Sequence, residues 1–498
     1  MNRTPIALGG AILAGILLRV PGLGSQGLWA DEAFTAIWAT LPLPDMLAQA
    51  RADNQAPLYF FLQSLVTPAP GASEAMVRSL ACLAGLLSIP LLFLLARWML
   101  SERAGVWAAW LLAVSPLHVH YSREARVYTW LTLAAIVAML CACALHRRPA
   151  AGSVAAAATA LLVLAYLHNL GILYGAGIVT GPLLEALVSR DRMRLRAWAF
   201  VGALFLIGFL PWALVVLDQS SRMDVTFGWS RPAWEAHFPW QPLMSMAALS
   251  PGSESPLRNG IDHIAPAAWL GLALAVALGW RALAARDGRA RPLSAAWLPI
   301  AVVVPLAAIF IYSCLRAPIH VVGRVDSPLL PFFLLLVAGG ISSLTRARAA
   351  AAAVAITLLV AGPLTQELTS DTRSQERTIA QFLALKMAPA DRLIVTGLLY
   401  PTMEHYLGAS RPDVAIAPFP PERALHPGWV DWSQQTSQRL SAAANGLAGA
   451  LVPDQRSVWV VLADEPTGPP LAEALAVRFG PPERIGTNYL GLEIQAYR

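Results

Sequence analysis

Near its N-terminus the chain contains IALGGAILAGILLRV at residues 6–20, followed after a short turn by GLWADEAFTAIW at residues 27–38. The first segment belongs to an apolar run, 5–21, with the length and character of a membrane-spanning helix. The second places two adjacent carboxylates, Asp31 and Glu32, directly after that run. Because carboxylates are costly close to hydrocarbon, the position of two of them so near the membrane requires an explanation.

The rest of the chain has the same apolar character as this first run. It has 498 residues, of which 56% are hydrophobic and only 13% charged, and its mean hydropathy is +0.55. These values differ strongly from those of soluble domains and predict a polytopic membrane protein. The net charge of +6 comes from arginines clustered between apolar runs, where they set topology, so we expect no nucleic-acid partner.

Apolar runs of roughly 17 to 25 residues predict about eleven transmembrane helices. These runs lie near 5–21, 77–98, 104–120, 127–145, 153–169, 170–188, 197–217, 264–281, 294–314, 327–344 and 349–365. The first run could also be a signal peptide, but Leu28 stands three residues before a cleavage after Ala30, where a small residue is needed. We therefore expect this run to be retained as the first helix.

Arginines and other basic residues fall on alternate connections between these runs, which assigns those connections to the cytoplasm. The remaining connections then face outside: 22–76, 121–126, 218–263, 315–326 and the chain after 366. The sequence thus predicts a multi-pass protein of the cytoplasmic (inner) membrane, with a cytoplasmic N-terminus and its polar chemistry on the outer side.

The chain is predicted to have two domains. Residues 1–365 form a membrane domain that includes the first outer loop, 22–76, whereas residues 366–498 alternate helix-like and strand-like segments. Such alternation predicts a small α/β domain, here placed outside the cytoplasm. All four cysteines lie in apolar runs, so a disulfide framework is not indicated.

Four stretches of the outer connections carry candidate chemistry, and each also has a plainer interpretation. Asp31 and Glu32 could be a solvated pair favoured by a helix dipole, in a segment, 34–50, that suits a helix lying in the membrane interface. In DNQAPLYFFLQSL, residues 53–65, Pro57 can begin a helix and Tyr59 could simply be an interfacial anchor.

The other two stretches contain arginines. HVHYSREARVYTW, residues 118–130, packs more polar groups into a short connection than a turn needs, and arginine forks suit a phosphate; a salt-bridged turn is the alternative. His118 and His120 are weak metal candidates because no third ligand is evident. Arg324 and Asp326, before the tenth run, could bind a ligand or satisfy each other.

In this order, LWADEAFT, APLYFF, YSREARVY and GRVDSPLLPFFLLLVAG resemble the polyprenyl-phosphate-sugar-dependent membrane glycosyltransferases of the GT-C superfamily. The chain is similar in particular to the bacterial group related to protein O-mannosyltransferases (glycosyltransferase family 39) and lipid A aminoarabinose transferases. The resemblance covers residues 1–345, whereas the C-terminal domain matches only in general style. It implies an α-helical GT-C fold.

The resemblance also implies roles for individual residues. Asp31 corresponds to the catalytic acid of the first outer loop, with Glu32 beside it, and would act as a general base. Donor-phosphate binding is implied for Arg126, Tyr128, Glu124, Arg324, Tyr59 and Gln55. The chain departs from the pattern at Gln55, where relatives often have a His or Lys followed by two prolines, so this turn lacks that cation.

The function implied is inverting transfer of a sugar from a polyprenyl-phosphate donor to a lipid, glycan or protein acceptor on the outer face of the membrane. A divalent metal could assist the phosphate, but the sequence establishes no cofactor. The alternative is a transporter or flippase of a lipid-linked sugar, although polar clusters at one surface and the lack of a repeat argue against it. An inactive relative acting as a scaffold is a third interpretation.

Overall fold

The computed structural model describes residues 4–223, 227–251, 266–284, 296–370, 375–424, 435–451, 457–463, 467–485 and 492–497. Parts of the predicted outer connection 218–263 and of the basic connection 281–291 therefore lie outside the described residues. Contacts divide the chain into two units. The first contains Met1–Leu23, Asn54–Tyr59 and Arg78–Ser370, and the second contains Gly24–Asp53, Phe60–Val77 and Asp371–Arg498. Most of the first outer loop thus groups with the C-terminal part.

Helices dominate the chain up to residue 370. The helices up to residue 220 are α1 (Thr4–Arg19), α2 (Ala30–Ala39), α3 (Leu43–Ala52), α4 (Leu58–Ser64), α5 (Glu74–Met99), α6 (Glu102–Ala113), α7 (Pro116–Ser122), α8 (Tyr128–Arg147), α9 (Ala151–Leu167), α10 (Gly171–Val188) and α11 (Arg192–Ser220). They are followed by α12 (Arg231–His237), α13 (Gln241–Ala248), α14 (Pro266–Ala284), α15 (Trp297–Leu315), α16 (Leu330–Ser342) and α17 (Arg346–Thr369).

Within the described ranges, six helices are long and apolar enough to cross a membrane: α5, α8, α10, α11, α15 and α17. Shorter apolar helices lie at Thr4–Arg19, Ala151–Leu167, Pro266–Ala282 and Ser327–Ser342. Each predicted apolar run except 104–120 coincides with one of these helices. The predicted fold class, an α-helical polytopic membrane protein with a small C-terminal α/β part, is confirmed.

The run 104–120 is not a single helix, contrary to the prediction. It divides into α6 and α7 because Pro116 disfavours a helical conformation at Ser115, whose hydroxyl instead caps α7 by accepting from the His118 backbone N–H at 3.4 Å. The guanidinium of Arg19 donates to the carbonyls of Leu112 (3.1 Å) and Ala113 (2.8 Å) at the end of α6. Carbonyls in the last turn of a helix have no N–H group four residues further on within that helix, and Arg19 supplies donors to two of them.

Two further breaks are set by local sequence. The predicted interfacial helix 34–50 is instead the pair α2 and α3, separated at Pro42, which has no backbone N–H to continue a helix. The predicted break between the fifth and sixth runs is confirmed between α9 and α10. Gly171 is required there, since a Cβ atom would lie 1.9 Å from the carbonyl oxygen of Leu164.

The second unit contains a five-stranded sheet in the order β2-β1-β3-β5-β4. Its strands are β1 (Arg392–Val395), β2 (Ala415–Pro418), β3 (Val458–Ala463), β4 (Glu483–Arg484) and β5 (Leu492–Tyr497). The first three in spatial order are parallel, and β5 and β4 pair antiparallel. The accompanying helices are α18 (Gln375–Lys386), α19 (Tyr400–Met403, continued by a π turn at Glu404–Gly408), α20 (Ser437–Ala450) and α21 (Gly468–Phe479).

Apolar residues cover both faces of this sheet. Leu393, Val395 and Trp459 pack with α18 and α19 on one face, whereas Ile394 and Val460 pack with α20 and α21 on the other. Successive strand residues point to opposite faces, so strands covered on both sides are apolar throughout. The result is a three-layer α/β/α arrangement.

Candidate functional site

In the first unit, the predicted phosphate-binding stretch YSREARVY is buried where the chain passes from α7 to α8. Arg126 is 9% exposed and Tyr128, at the start of α8, is 5% exposed. A cationic side chain is seldom buried to this extent unless it is paired or has a ligand. The burial of Arg126 therefore makes this connection a candidate ligand-binding segment.

Arg324 contacts the same place from the loop between α15 and α16. Its Nε atom donates a hydrogen bond of 2.5 Å to the Tyr128 hydroxyl, and its guanidinium carbon lies 5.7 Å from the centre of the Tyr128 ring. The Tyr121 hydroxyl donates to the carbonyl of Gly323 at 2.9 Å. These bonds hold Arg324 against the start of α8, close to Arg126. Such an arrangement is needed if Arg126 and Arg324 are to contact the same anion.

His168, in the break between α9 and α10, belongs to the same cluster, although no motif in the sequence indicated it. Burial and, to a smaller extent, the positive charges of Arg126 and Arg324 together lower its pKa to about 4. The ring is therefore neutral. Because Nδ1 faces the Leu170 backbone N–H at 3.1 Å, Nε2 carries the hydrogen and is a donor. A histidine at a short break between two apolar runs is the signal that could have indicated it.

The weak metal candidates have other partners. His118 Nδ1 lies 2.8 Å from Arg19 Nη2. His120 Nε2 and Nδ1 form ion pairs with Glu124 (3.0 Å) and Glu367 (3.1 Å); burial lowers the pKa of His120, but the two carboxylates outweigh this and raise it to about 9. In the part of the chain that the structure describes, no group of three His, Cys, Asp or Glu side chains is placed to hold a metal ion.

The turn that precedes α4 contacts the same break between α9 and α10. Asn169 Nδ2 donates to the backbone carbonyl of Asn54 at 3.1 Å and to Gln219 Oε1 at 2.8 Å. Gln219 Nε2 donates to the Gln55 carbonyl at 3.4 Å. Tyr59 is buried, with 2% of its surface exposed. The structure thus ties the Gln55 turn to the segment that carries His168, by its backbone.

In the second unit, the two adjacent carboxylates at the start of α2 have different surroundings. Glu32 is fully buried, and its Oε2 atom accepts a long hydrogen bond, 3.4 Å, from the backbone N–H of Trp29, which caps the helix in which it lies. Asp31 is only half-buried. Of the pair, Asp31 is the one accessible to a substrate.

Residues of the C-terminal part hold this loop within the second unit. The Tyr406 hydroxyl accepts from the Leu28 backbone N–H at 2.7 Å and donates to Glu74 at 3.0 Å. Arg377 forms an ion pair with Glu74 at 2.9 Å and donates to the Ser25 carbonyl at 2.8 Å. These bonds lie on both sides of α2, so the C-terminal part restrains the segment that presents Asp31.

Residues 54–214 match the family model of the dolichyl-phosphate-mannose-protein mannosyltransferases. The matched region is less than half of the chain, and it includes the Gln55 turn, YSREARVY and the break at His168. No curated protein matches the sequence significantly.

The fold is similar to that of solved membrane glycosyltransferases. ArnT from Cupriavidus metallidurans matches over 99% of this chain and 97% of its own, in the apo state (15% identity, TM-score 0.60) and bound to undecaprenyl phosphate (17%, 0.59). AglB, an oligosaccharyltransferase from Archaeoglobus fulgidus solved with an inhibitory peptide and a dolichol-phosphate, matches over 100% of this chain and 74% of its own (13%, 0.54).

The match to the family model and the shared fold agree with the resemblance carried by the four outer stretches. The chain is therefore similar in part of its sequence to the dolichyl-phosphate-mannose-protein mannosyltransferases and in its whole fold to ArnT.

Proposed function

We propose that the protein transfers a sugar from a polyprenyl phosphate to an acceptor on the outer face of the cytoplasmic membrane, with inversion at the anomeric carbon. The donor class is supported by the undecaprenyl phosphate bound to ArnT and the dolichol-phosphate bound to AglB. The outer location follows from the alternation of basic connections.

The observation that carries this proposal is the cluster of Arg126, Arg324, Tyr128 and His168. The structure brings together two guanidinium groups, a phenol and a neutral imidazole that can donate, from three separate connections between apolar helices. Arginine forks bind phosphate with good geometry. We assign the donor phosphate to this cluster.

In the proposed reaction, an acceptor oxygen attacks the anomeric carbon while the bond from that carbon to the phosphate oxygen breaks. The lipid phosphate leaves with the bonding electron pair, and Arg126 and Arg324 stabilise the charge that develops on it. The carboxylate of Asp31 takes the acceptor proton. Displacement in one step inverts the anomeric carbon.

The remaining predicted residues have supporting roles in this proposal. Glu124 pairs with His120 and as a carboxylate would repel a phosphate, so we assign it to positioning the YSREARVY connection. The backbone contacts of Gln55 and the burial of Tyr59 suit the same purpose for their turn. Glu32 shapes the start of α2, and the C-terminal part, placed outside, restrains the loop that bears Asp31.

The proposal is tested by measuring whether the protein cleaves members of a defined panel of donors. Purified protein in nanodiscs is incubated with polyprenyl phosphates bearing different radiolabelled hexoses and pentoses, and release of the free lipid phosphate is measured. We expect release from at least one donor, increased by a cell-envelope lipid extract that supplies acceptors. If proteoliposomes instead move an intact lipid-linked sugar across the bilayer without cleaving it, the protein is a transporter.

A further inference from the structure

The turn that precedes α4 contains a strained backbone conformation. Asn54 has a φ angle of 57°, in the left-handed region that residues other than glycine seldom adopt. Such conformations cost free energy and persist only where surrounding groups hold them, and they cluster at active sites and ligand clamps. The conformation of Asn54 therefore indicates that groups outside the turn fix its backbone.

Two side-chain amides supply these groups. Asn169, in the break between α9 and α10, donates to the backbone carbonyl of Asn54 at 3.1 Å. Gln219, in the last turn of α11, is fully buried and donates to the next carbonyl of the turn, that of Gln55, at 3.4 Å. Asn169 also donates to Gln219 Oε1 at 2.8 Å and accepts from the Trp212 indole N–H at 3.4 Å. One connected network thus binds two consecutive carbonyls of the turn.

The orientation of both amides is fixed by groups whose hydrogen-bonding role cannot change. A backbone carbonyl can only accept, and an indole N–H can only donate. The Asn169 atom that faces the Asn54 carbonyl is therefore the amide nitrogen, and the atom that faces Trp212 is the oxygen. Likewise, the Gln219 atom that faces the Gln55 carbonyl is a nitrogen, which leaves its oxygen to accept from Asn169. A carboxylate at position 169 or 219 would place an acceptor against an acceptor.

Asn169 also adjoins the imidazole of the phosphate cluster. His168 follows the end of α9 in an extended conformation. Its Nδ1 atom accepts from the backbone N–H of Leu170 at 3.1 Å, and its carbonyl accepts from that of Gly171 at 2.7 Å. Since Asn169 lies between His168 and both of these donors, the bonds that anchor Asn169 also restrict the direction in which the imidazole points.

We propose that Asn169 is a positioning residue for donor binding, which holds His168, and with it the Nε2–H group that donates to the donor phosphate, in a fixed place relative to the Gln55 turn. This inference rests on the proposed function, because it requires the phosphate to lie at His168. Groups that are held in place before a ligand arrives bind it more tightly. Loss of the amide network should therefore weaken donor binding through His168.

A double-mutant cycle on the full chain tests this inference. The variants are Asn169→Leu, which has a similar size and cannot donate, His168→Ala, and the two together. The probe is undecaprenyl phosphate, titrated at a temperature at which every variant is folded. We expect each single change to weaken binding about tenfold, and the double variant to bind within about twofold of His168→Ala, because residues that act together are not additive.

The substitution Asn169→Asp adds a readout that depends on pH. At about pH 8 the carboxyl group is ionised, so binding should be as weak as in Asn169→Leu. A protonated carboxyl group can donate one hydrogen bond, so at about pH 5 the loss relative to the unaltered protein should become smaller, whereas that of Asn169→Leu should not. Asn445→Asp, at an exposed position of α20, is the control for the added charge and should bind normally at both values.

The outcomes separate this inference from the function on which it rests. If Asn169→Leu unfolds at a lower temperature but binds with normal affinity when folded, its role is only structural and the inference is wrong. It is also wrong if the losses multiply in the double variant, or if His168→Ala binds normally. If the unaltered protein does not bind undecaprenyl phosphate, the proposed donor class itself fails. Should Asn169→Leu not fold, Gln219→Glu takes its place in the cycle.

Discussion

At the scale of single residues, the adjacent carboxylates Asp31 and Glu32 of the second unit have different surroundings. Glu32 is buried and bonded to the backbone that precedes its own helix, whereas Asp31 is half-buried. A general base must reach the proton that it removes, and only Asp31 combines a carboxylate with access from outside. The pair therefore consists of a proposed catalytic residue and a residue that shapes the helix start.

Asp31→Asn should abolish transfer, because the amide keeps the shape of the side chain but cannot accept a proton. General-base catalysis contributes roughly 10²–10⁴ in rate, so we expect at least about a 100-fold loss with an unchanged unfolding midpoint. Asp45→Asn, in the first turn of α3, is the matched control and should retain activity. Near-normal turnover by Asp31→Asn would assign the base elsewhere.

Arg126→Lys should weaken donor binding even though the charge is kept, because a lysine offers a point charge in place of a planar fork. Arg126→Ala should weaken it further, by at least tenfold, since a hydrogen bond to a charged group contributes about 1.5–3 kcal/mol. Binding of undecaprenyl phosphate is the measurement, and Arg222→Ala, an exposed arginine paired with Asp218, is the control. Normal affinity in a folded Arg126→Ala protein would remove Arg126 from the phosphate site.

At the scale of elements, polar bonds between distant segments hold the candidate residues in place. His120 on α7 pairs with Glu367 on α17, and Tyr406 after α19 bonds on both sides of α2. In each case one short element that carries or adjoins candidate chemistry is bonded to a segment hundreds of residues away. Substitutions that remove these bonds should therefore lower activity even though they change no candidate site residue.

The ion pairs of His120 should make stability depend on pH. Its folded pKa of about 9 exceeds that of an unfolded histidine, about 6.5, so its contribution is complete below pH 6.5 and is lost as pH rises through 9. The thermal unfolding midpoint in detergent should therefore decrease as the pH is raised from about 6.5 to about 9. The substitution His120→Gln should make this decrease smaller. His237→Gln serves as the control. Equal slopes in all three proteins would show that His120 is not charged in the fold.

Tyr406→Phe should reduce transfer without removing any proposed catalytic group. It deletes the hydroxyl that bonds to Leu28 and Glu74. A hydrogen bond to a charged group such as the Glu74 carboxylate contributes about 1.5–3 kcal/mol, so a roughly ten- to hundredfold lower rate and a lower midpoint are expected. Tyr400→Phe, on the same helix, should behave as the unaltered protein. Full activity of Tyr406→Phe would mean that the bond does not restrain the loop.

At the scale of the whole molecule, the proposed site requires one orientation in the membrane. The first outer loop, the connection 121–126, the loop 315–326 and the chain after 366 must share a side. Basic residues on the alternate connections predict this side to be the outer one.

Proteinase K added to intact spheroplasts should therefore remove an epitope at the C-terminus. An epitope inserted in the basic connection 190–196 should be protected until the membrane is opened. A C-terminal epitope that is cleaved only after lysis would place the site in the cytoplasm and overturn the proposed outer-face reaction.

Local signals in the sequence determined the positions of the helices and strands. Apolar runs located the membrane helices, and the alternation after residue 366 predicted the α/β character of the C-terminal part, because hydropathy and periodicity depend on residues close together in the chain. The break at Ser115-Pro116 was also a local signal, but the length of the apolar run concealed it. Asp31 and Arg126 could be proposed as site residues from the sequence because each lies within a short recognisable stretch.

Only the tertiary structure decided which polar residues meet. Arg324 and Tyr128 are 196 residues apart, and His120 and Glu367 are 247 apart. In a membrane protein, lipid-facing and packed helix faces are both apolar, so hydropathy does not reveal which helices are neighbours. For the same reason, sequence patterns do not indicate that His168 joins the arginines, that Asn169 and Gln219 bond to the turn at Gln55, or that the loop bearing Asp31 groups with the C-terminal part.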